Sequence, residues 1–142
     1  MREILFRAKA INREEKWSYR TNYKNGDWVY GLVIDLYDNR FPNLPAKMKN
    51  TDGVSGIDVD YQTIGQCTSL KDENGVKIFE GDIVRIIYNG NEFIRTIIWD
   101  NNELDFKATN GEEKYGSNFN YLNCCEEIEV IGNIYDNSEL LK

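Results

Sequence analysis

The side chains best suited to catalysis lie in one short stretch and are three carboxylates and a lysine: Asp100, Glu103, Asp105 and Lys107. Clustered carboxylates with a nearby lysine are the residue types that a metal-dependent nuclease requires. Their spacing matches no metal-binding loop, and residues 101–102, both asparagine, are typical of a turn between strands. We therefore predict that the protein is not an enzyme and binds no metal or cofactor, with a metal-dependent nuclease as the alternative.

The 142 residues include no histidine. This excludes a Ser-His-Asp or Cys-His nucleophile, histidine zinc sites and imidazole acid-base catalysis. The three cysteines, Cys67, Cys124 and Cys125, are odd in number and two are adjacent, which is a poor framework for disulfides. Three thiols without histidine do not complete a four-ligand zinc site unless a carboxylate joins them. We interpret all three as buried, reduced thiols.

The composition is that of a packed and acidic domain. Apolar residues make up 41% of the chain, and 17 basic residues stand against 24 acidic ones, a net charge of −7. The N-terminal residues carry charges and no apolar core typical of a signal peptide. No apolar run approaches the roughly 18 residues of a membrane helix. These features predict a soluble cytoplasmic protein that does not enter a membrane.

Period-two alternation of apolar residues, with turn residues about every ten positions, predicts an all-β protein with minor helical turns. The alternation lapses between residues 38 and 55, where prolines and asparagines indicate a long loop. We predict one structural unit of two associated lobes. The short strands and the turn spacing fit either a β-sandwich or a small barrel. We assign a β-rich lobe to residues 1–64 and expect a small SH3-like barrel over residues 65–142. The predicted core residues are Phe6, Trp17, Trp28, Tyr30, Val84, Ile86, Phe93, Ile97, Ile98, Trp99, Val130 and Ile134.

Residues 83–88 and 93–99 flank the turn sequence NGNE and predict a hairpin. Both strands are apolar on both faces, so we expect self-association into a homo-oligomer. A three-residue loop would place Arg85 opposite Arg95, and like charges in that position destabilise a sheet. We therefore predict a two- or four-residue loop, unless an anion lies between the two arginines.

Three stretches carry a family resemblance: ILFRA at residues 4–8, IGQCTSLKDENG at 64–75 continued by IFEGDIV at 78–84, and VIGNIYDNSELL at 130–141. Together they resemble the YopX family of bacteriophage and prophage proteins. Ser69 stands where that family usually has glycine, and Lys9 where a tryptophan often follows.

This resemblance implies a β-rich fold with a barrel-like part and an origin in a phage or prophage. It transfers no enzymatic role. The central motif also has a structural explanation, because its glycines fall at turns and its apolar residues face a core. In that interpretation Asp72 and Asp82 accept hydrogen bonds from backbone N–H groups in those turns.

Binding is the remaining class of function. Residues 1–24 hold seven basic and three acidic side chains, a local charge of +4 that leaves −11 for the rest of the chain. Basic side chains beside aromatic ones are what single-stranded nucleic acid or phosphate requires. The candidate binding face consists of Arg7, Lys9, Lys16, Trp17, Tyr19 and Arg20.

The acidic remainder repels phosphate and favours a different partner. Carboxylates such as Asp58 and Asp60 share a strand face, which fits either phosphate mimicry or the ordinary outer face of a sheet. We predict a phage or prophage accessory protein that binds an unknown phage or host protein. A module that binds single-stranded nucleic acid is the alternative.

Overall fold

The computed structural model describes residues 3–15, 17–18, 22–36, 45–110 and 119–141. These residues form eleven β-strands in antiparallel sheets and three short 3-10 helices: Tyr61–Thr63, Leu122–Cys124 and Ser138–Leu141. The all-β class with minor helical turns is confirmed. No helix in the described ranges is long and apolar enough to cross a membrane.

The chain divides into two compact units, Met1–Gln66 and Cys67–Lys142. The predicted association of lobes 1–64 and 65–142 stays a prediction. In the first unit the hydrogen-bonded strand order is β4-β3-β2-β1. The strands are β1 (Phe6–Lys9), β2 (Trp28–Asp35), β3 (Ala46–Asn50) and β4 (Ile57–Val59). A fifth strand, β5 (Gly65–Lys71), begins in this unit, where Gly65 and Gln66 pair with β1.

In the first unit, the residues that follow β1 also pair with β4, the strand at the other end of the strand order. Ala10 forms an antiparallel bridge with Val59, and the Ile11 amide donates to the Asp58 carbonyl at 2.9 Å. The residues that point inward along these strands are mostly alanine or β-branched, with Met48 as the exception. Its core consists of Ala8, Ala10, Val29, Ala46, Met48, Val54, Ile57 and Val59, each no more than 6% exposed.

The second unit has the strand order β10-β9-β8-β7-β11, and β6 pairs with β5. The strands are β6 (Lys77–Phe79), β7 (Asp82–Tyr88), β8 (Asn91–Asp100), β9 (Asp105–Thr109), β10 (Phe119–Tyr121) and β11 (Glu127–Asn133). No ladder joins β10 to β11 in the part of the chain that the structure describes. The SH3-like barrel therefore stays a prediction. The core residues here are Ile78, Val84, Ile86, Ile97, Phe106, Ala108 and Leu122.

The hairpin of β7 and β8 has the predicted loop length. Tyr88 pairs with Asn91, so the loop contains two residues, Asn89 and Gly90. Both have positive φ, 51° and 77°, as a type I′ turn requires. Arg85 consequently lies opposite Ile94 instead of Arg95. The avoidance of like charges is confirmed.

The turn aspartates of the central motif act as predicted. The Asp72 carboxylate accepts from the backbone amides of Asn74, Val76 and Val130 at 2.8–2.9 Å. Asp82 accepts from the Phe79 amide at 2.7 Å. Burial raises the pKa of Asp72, but the three donors outweigh it and the pKa lies below its usual value. The motif thus stabilises turns.

Two predicted core residues are wrong. Trp17 is 59% exposed and lies outside the strands, so no sheet face buries it. Tyr30 is 39% exposed because β2 directs Val29 and Val33 toward the core, which leaves the even-numbered positions outside. Val84, Ile86 and Ile97 are buried as predicted. The other seven are partly buried: Phe6, Trp28, Phe93, Ile98, Trp99, Val130 and Ile134.

Candidate functional site

The outer face of β2 carries exposed apolar side chains. Tyr30, Leu32 and Ile34 are 39%, 47% and 50% exposed. Alternation along the strand sets this pattern, since Val29 and Val33 take the core side. A β-bulge between Val33 and Asp35 adds Ile34 to the strand without a direct partner on β3. Three consecutive outward positions are therefore available to a ligand.

A surface depression of about 480 Å³ lies beside Leu32. Ile4 and Leu5 form the rest of its apolar lining. Its polar lining includes Lys49, Thr51 and Asp52, together with the backbone of the neighbouring residues. The depression is open to solvent and lies within the first unit, so it extends the outer face of β2.

Two residues shape this depression. Gly31 allows β2 and β3 to approach closely, because a β-carbon there would lie 1.9 Å from the Lys49 carbonyl oxygen. The Asn50 side chain holds the loop that follows β3. Its carbonyl oxygen accepts from the amides of Asp52 at 3.1 Å and Val54 at 2.9 Å, and its amide donates to the Tyr23 hydroxyl at 2.8 Å. The rim is thus held by buried hydrogen bonds.

The predicted basic face is brought together only in part. The Arg7 guanidinium lies 4.5 Å and the Lys9 ammonium 5.0 Å from the Trp28 ring centroid. Arg7 is only 6% exposed, and Lys9 also donates to the Gly26 carbonyl at 3.3 Å. Cation–π contact with the indole therefore already uses both cations. Lys16, Tyr19 and Arg20 lie outside the described residues, so they stay predictions.

The exposed residues of β2 were not among the predicted site residues. Their signal was the nearly continuous apolar run across Trp28–Asp35, in which Asp35 at the end is the first charged residue. Such a run places apolar side chains on both faces of the strand. Sequence alone does not say which face of such a strand is covered. Tyr30 was consequently assigned to the core.

The predicted nuclease residues form a charge cluster in the second unit. Lys107 and Asp100 have fully buried side chains, and the Lys107 ammonium donates to the Asp100 carboxylate at 2.7 Å. It also donates to Glu103 at 2.5 Å. The Tyr121 hydroxyl donates to the other Glu103 oxygen at 2.8 Å. Asp105 does not join the cluster, because its carboxylate accepts from the Phe106 amide.

The protonation states of this cluster follow from its contacts. Burial lowers the pKa of Lys107, but the two carboxylates outweigh it and raise the pKa well above its usual value. The hydrogen bonds from Lys107 lower the pKa of Asp100 and of Glu103. The hydrogen bond to Glu103 raises the pKa of Tyr121. One ammonium between two carboxylates is the charge state at neutral pH.

The cluster is therefore arranged around its own cation. Across the described ranges, no group of three or more cysteine, aspartate or glutamate side chains is placed to hold a metal. In the Asp100 cluster the Lys107 ammonium lies against both carboxylates. These residues can orient β8, β9 and β10 relative to one another through charge-assisted hydrogen bonds.

The cysteines agree with the sequence interpretation in part. All three are free thiols, and Cys67 is buried. Cys125 is half-buried, and burial raises its pKa to about 11. Cys124 is exposed, so its predicted burial is wrong. It ends the short 3-10 helix Leu122–Cys124, in which Leu122 faces the core.

The fold and motifs agree with a comparison across protein families. The YopX family model matches residues 5–142, nearly the whole chain. The chain belongs to the YopX family. The predicted resemblance to the YopX family is thereby confirmed.

This YopX-family chain is also similar to a solved structure. The crystal structure of protein EF1440 from Enterococcus faecalis matches it with a TM-score of 0.50 and 24% sequence identity, covering 99% of each chain. At that identity the likeness concerns the fold alone. No curated protein matches the chain significantly.

Proposed function

We propose that this YopX-family chain is a phage or prophage accessory protein that acts in the host cytoplasm by binding another protein, not by catalysis. The proposed surface is the outer face of β2, defined as Tyr30, Leu32 and Ile34 with the adjoining depression. The observation that carries the proposal is the exposure of these three consecutive outward side chains, 39–50%. Contiguous exposed apolar side chains are typical of a protein-binding surface.

The chemistry of the partner follows from what surrounds this face. Leu32 and the depression can accept an apolar side chain, as the centre of a protein interface does. Lys49 lies directly opposite Leu32 on β3 and has no ion-pair partner among the described side chains. The partner is therefore a protein surface that combines an apolar side chain with carboxylates.

Single-stranded nucleic acid is the second candidate, because cations and an aromatic ring lie together at Arg7, Lys9 and Trp28. The same contacts weigh against it. The ring already carries two cations, and Arg7 is too buried to neutralise a phosphate. Phosphate binding would weaken steeply between roughly 50 and 200 mM salt and on Lys9→Glu. If single-stranded DNA binds equally well across this salt range and to Lys9→Glu, this candidate is rejected.

The protein proposal is tested with a matched pair of variants. Leu32 and Val76 are both 47% exposed, but Val76 belongs to the second unit and is not part of β2. The full chain is used to capture proteins from infected or prophage-carrying cells, and each captured protein is purified and titrated by calorimetry. Leu32→Asp should weaken binding at least about tenfold, whereas Val76→Asp should leave it unchanged. Equal affinities for both variants would reject the outer face of β2.

Self-association stays a prediction and is the other outcome of this test. The expectation came from the apolar residues on both faces of the β7–β8 hairpin. Of these, Ile94 is 37% exposed and could contact a second copy, whereas Ile83 is buried within the chain. Light scattering at tens of micromolar measures the mass of the full chain. An oligomer that Leu32→Asp dissociates would mean that a second copy, and not another protein, occupies the outer face of β2.

A further inference from the structure

The two arginines of the β7–β8 hairpin differ in their counter-ions. The Arg85 guanidinium is surrounded by four carboxylates at 3.1–3.7 Å: Glu73, Glu92, Glu127 and Glu129. The hydrogen bond to Glu92 is the largest of the effects that raise the pKa of Arg85. Arg85 therefore needs no further anion.

Arg95 has no carboxylate partner among the residues that the structure describes. Its Nε donates to the Asn120 side-chain oxygen at 3.4 Å, and Nη1 donates to the Ile94 carbonyl at 3.4 Å. Its guanidinium lies 4.6 Å from the centroid of the Phe93 ring. These contacts use the Nε hydrogen and one Nη1 hydrogen, and no described acceptor bonds Nη2.

Partial burial makes this cation costly. Arg95 is half-buried, and burial lowers its pKa, with no carboxylate among the described residues to oppose that effect. A partly desolvated charge without a counter-ion is unfavourable, and proteins usually provide one. A bound anion would remove this cost.

Asn120 supplies a second donor beside Arg95. Asn120 is only 7% exposed, and its carbonyl oxygen is used by Arg95. Its amide nitrogen bonds to no described acceptor. Among the described residues, no fully buried side-chain nitrogen or oxygen lacks a partner, so this amide must reach solvent. The Asn120 amide thus lies on the side chain that already contacts the Arg95 guanidinium.

We propose that Arg95 and Asn120 form a binding site for one carboxylate group. A planar guanidinium bonds a carboxylate through two parallel N–H donors, and the Asn120 amide adds a third. Residues 67–142 contain 15 acidic and seven basic side chains. That excess of negative charge repels a phosphate dianion more strongly than a carboxylate monoanion. The site is independent of the outer face of β2.

Nuclear magnetic resonance on the full chain tests the site directly. Acetate or inorganic phosphate is added at constant ionic strength and pH 7, with chloride as the balancing anion. The Arg95 Nε–H and Asn120 side-chain amide signals are followed. Acetate should shift both signals saturably and bind more tightly than phosphate. Absence of a saturable shift, or tighter binding of phosphate, would overturn the assignment.

Variants separate this site from general electrostatics. Arg95→Gln should abolish acetate binding, and Arg95→Lys, which keeps the charge but loses the fork, should weaken it about tenfold. Arg85→Gln removes the same charge from the neighbouring strand and should leave binding unchanged. If Arg85→Gln weakens acetate binding as much as Arg95→Gln does, the effect is electrostatic and the site does not exist.

Two peptides identify the source of the carboxylate. One peptide ends in a free carboxylate, and the second has the same sequence with an amidated end. If the free-ended peptide binds more tightly than the amidated one, the ligand of the site is a chain terminus. If acetate binds as tightly as either peptide, the ligand is a small free carboxylate. Equal binding of the free-ended peptide to wild type and to Arg95→Gln would reject a chain terminus as the ligand of this site.

Discussion

The Lys107 ammonium lies 2.7 Å from the Asp100 carboxylate, and neither side chain is exposed to solvent. The ammonium also reaches Glu103 at 2.5 Å, so it is the shared counter-ion of two carboxylates, one at the end of β8 and one in the turn before β9. Removing one partner of a buried pair leaves an uncompensated charge, which destabilises more than the pair itself stabilises. The stability of the second unit therefore depends on this cluster.

Lys107→Met should lower the melting temperature by roughly 10 °C or more, because it leaves two carboxylates without their cation. Lys71→Met is the control, since Lys71 is exposed and has no ion pair among the described residues. Calorimetry measures both variants at pH 7. Equal melting temperatures for the two variants would mean that the cluster is not buried in solution.

Acid should destabilise the wild-type protein below about pH 4. The folded-state pKa values of Asp72, Asp100 and Glu103 all lie below their usual values. Their contribution to stability is thus fully present above the unfolded-state pKa values, about 4, and is lost as the pH falls through the lower folded-state values. Urea denaturation between pH 7 and pH 3 measures this loss.

The same urea denaturation should be carried out with Lys107→Met. The difference in free energy of unfolding between wild type and Lys107→Met should become smaller as the pH falls from 7 to 3. Without the ammonium, burial disfavours the charged carboxylates, so protonation relieves the variant while it weakens the wild type. A difference in free energy of unfolding that stays constant from pH 7 to pH 3 would contradict the assigned charge state.

Gly31→Ala should lower the free energy of unfolding by about 3 kcal/mol, because its β-carbon would collide with the Lys49 carbonyl oxygen and backbone atoms have little freedom to move. Gly53→Ala is the control. Gly53 has φ +89° and no atom within 4 Å of the added carbon, so only backbone strain of about 1–2 kcal/mol is expected. A smaller loss for Gly31→Ala than for Gly53→Ala would contradict the close approach of β2 and β3.

Ser69→Gly should raise the free energy of unfolding by about 1 kcal/mol. Ser69 has φ +70°, a left-handed conformation that glycine adopts without strain. It lies in the part of β5 where the pairing with β6 shifts register, between Cys67 and Lys71. Ser69→Ala keeps the β-carbon and should show no gain. Chemical denaturation compares the two variants with the wild type, and equal stability of Ser69→Gly and Ser69→Ala would rule out the strain.

The three thiols should differ in reactivity. Cys124 is exposed and should react first with iodoacetamide at pH 8. Cys125 should react much more slowly, because burial raises its pKa to about 11 and little thiolate is present. Buried Cys67 should react only on unfolding. Mass spectrometry of timed digests measures the three rates, and Cys124→Ser should remove the fast phase alone.

The sequence was sufficient where a feature depends on neighbours along the chain. Strand alternation, the turn at Asn89 and Gly90, and the turn aspartates Asp72 and Asp82 are local, because period-two burial and hydrogen bonds to nearby amides follow from residue order. The register of Arg85 and Arg95 was predictable for the same reason, since a hairpin loop sets it.

The tertiary structure alone decided features that depend on distant segments. Arg7 became buried because β2 places Trp28 beside it, and Tyr30 became exposed because the core lies on the other face of its strand. Lys107 became buried because β8 and β10 flank β9 and bring Asp100 and Tyr121 to its side chain. Sequence determines which side chains alternate together. Only packing determines which of the two faces water reaches, and therefore which charges must find partners inside the protein.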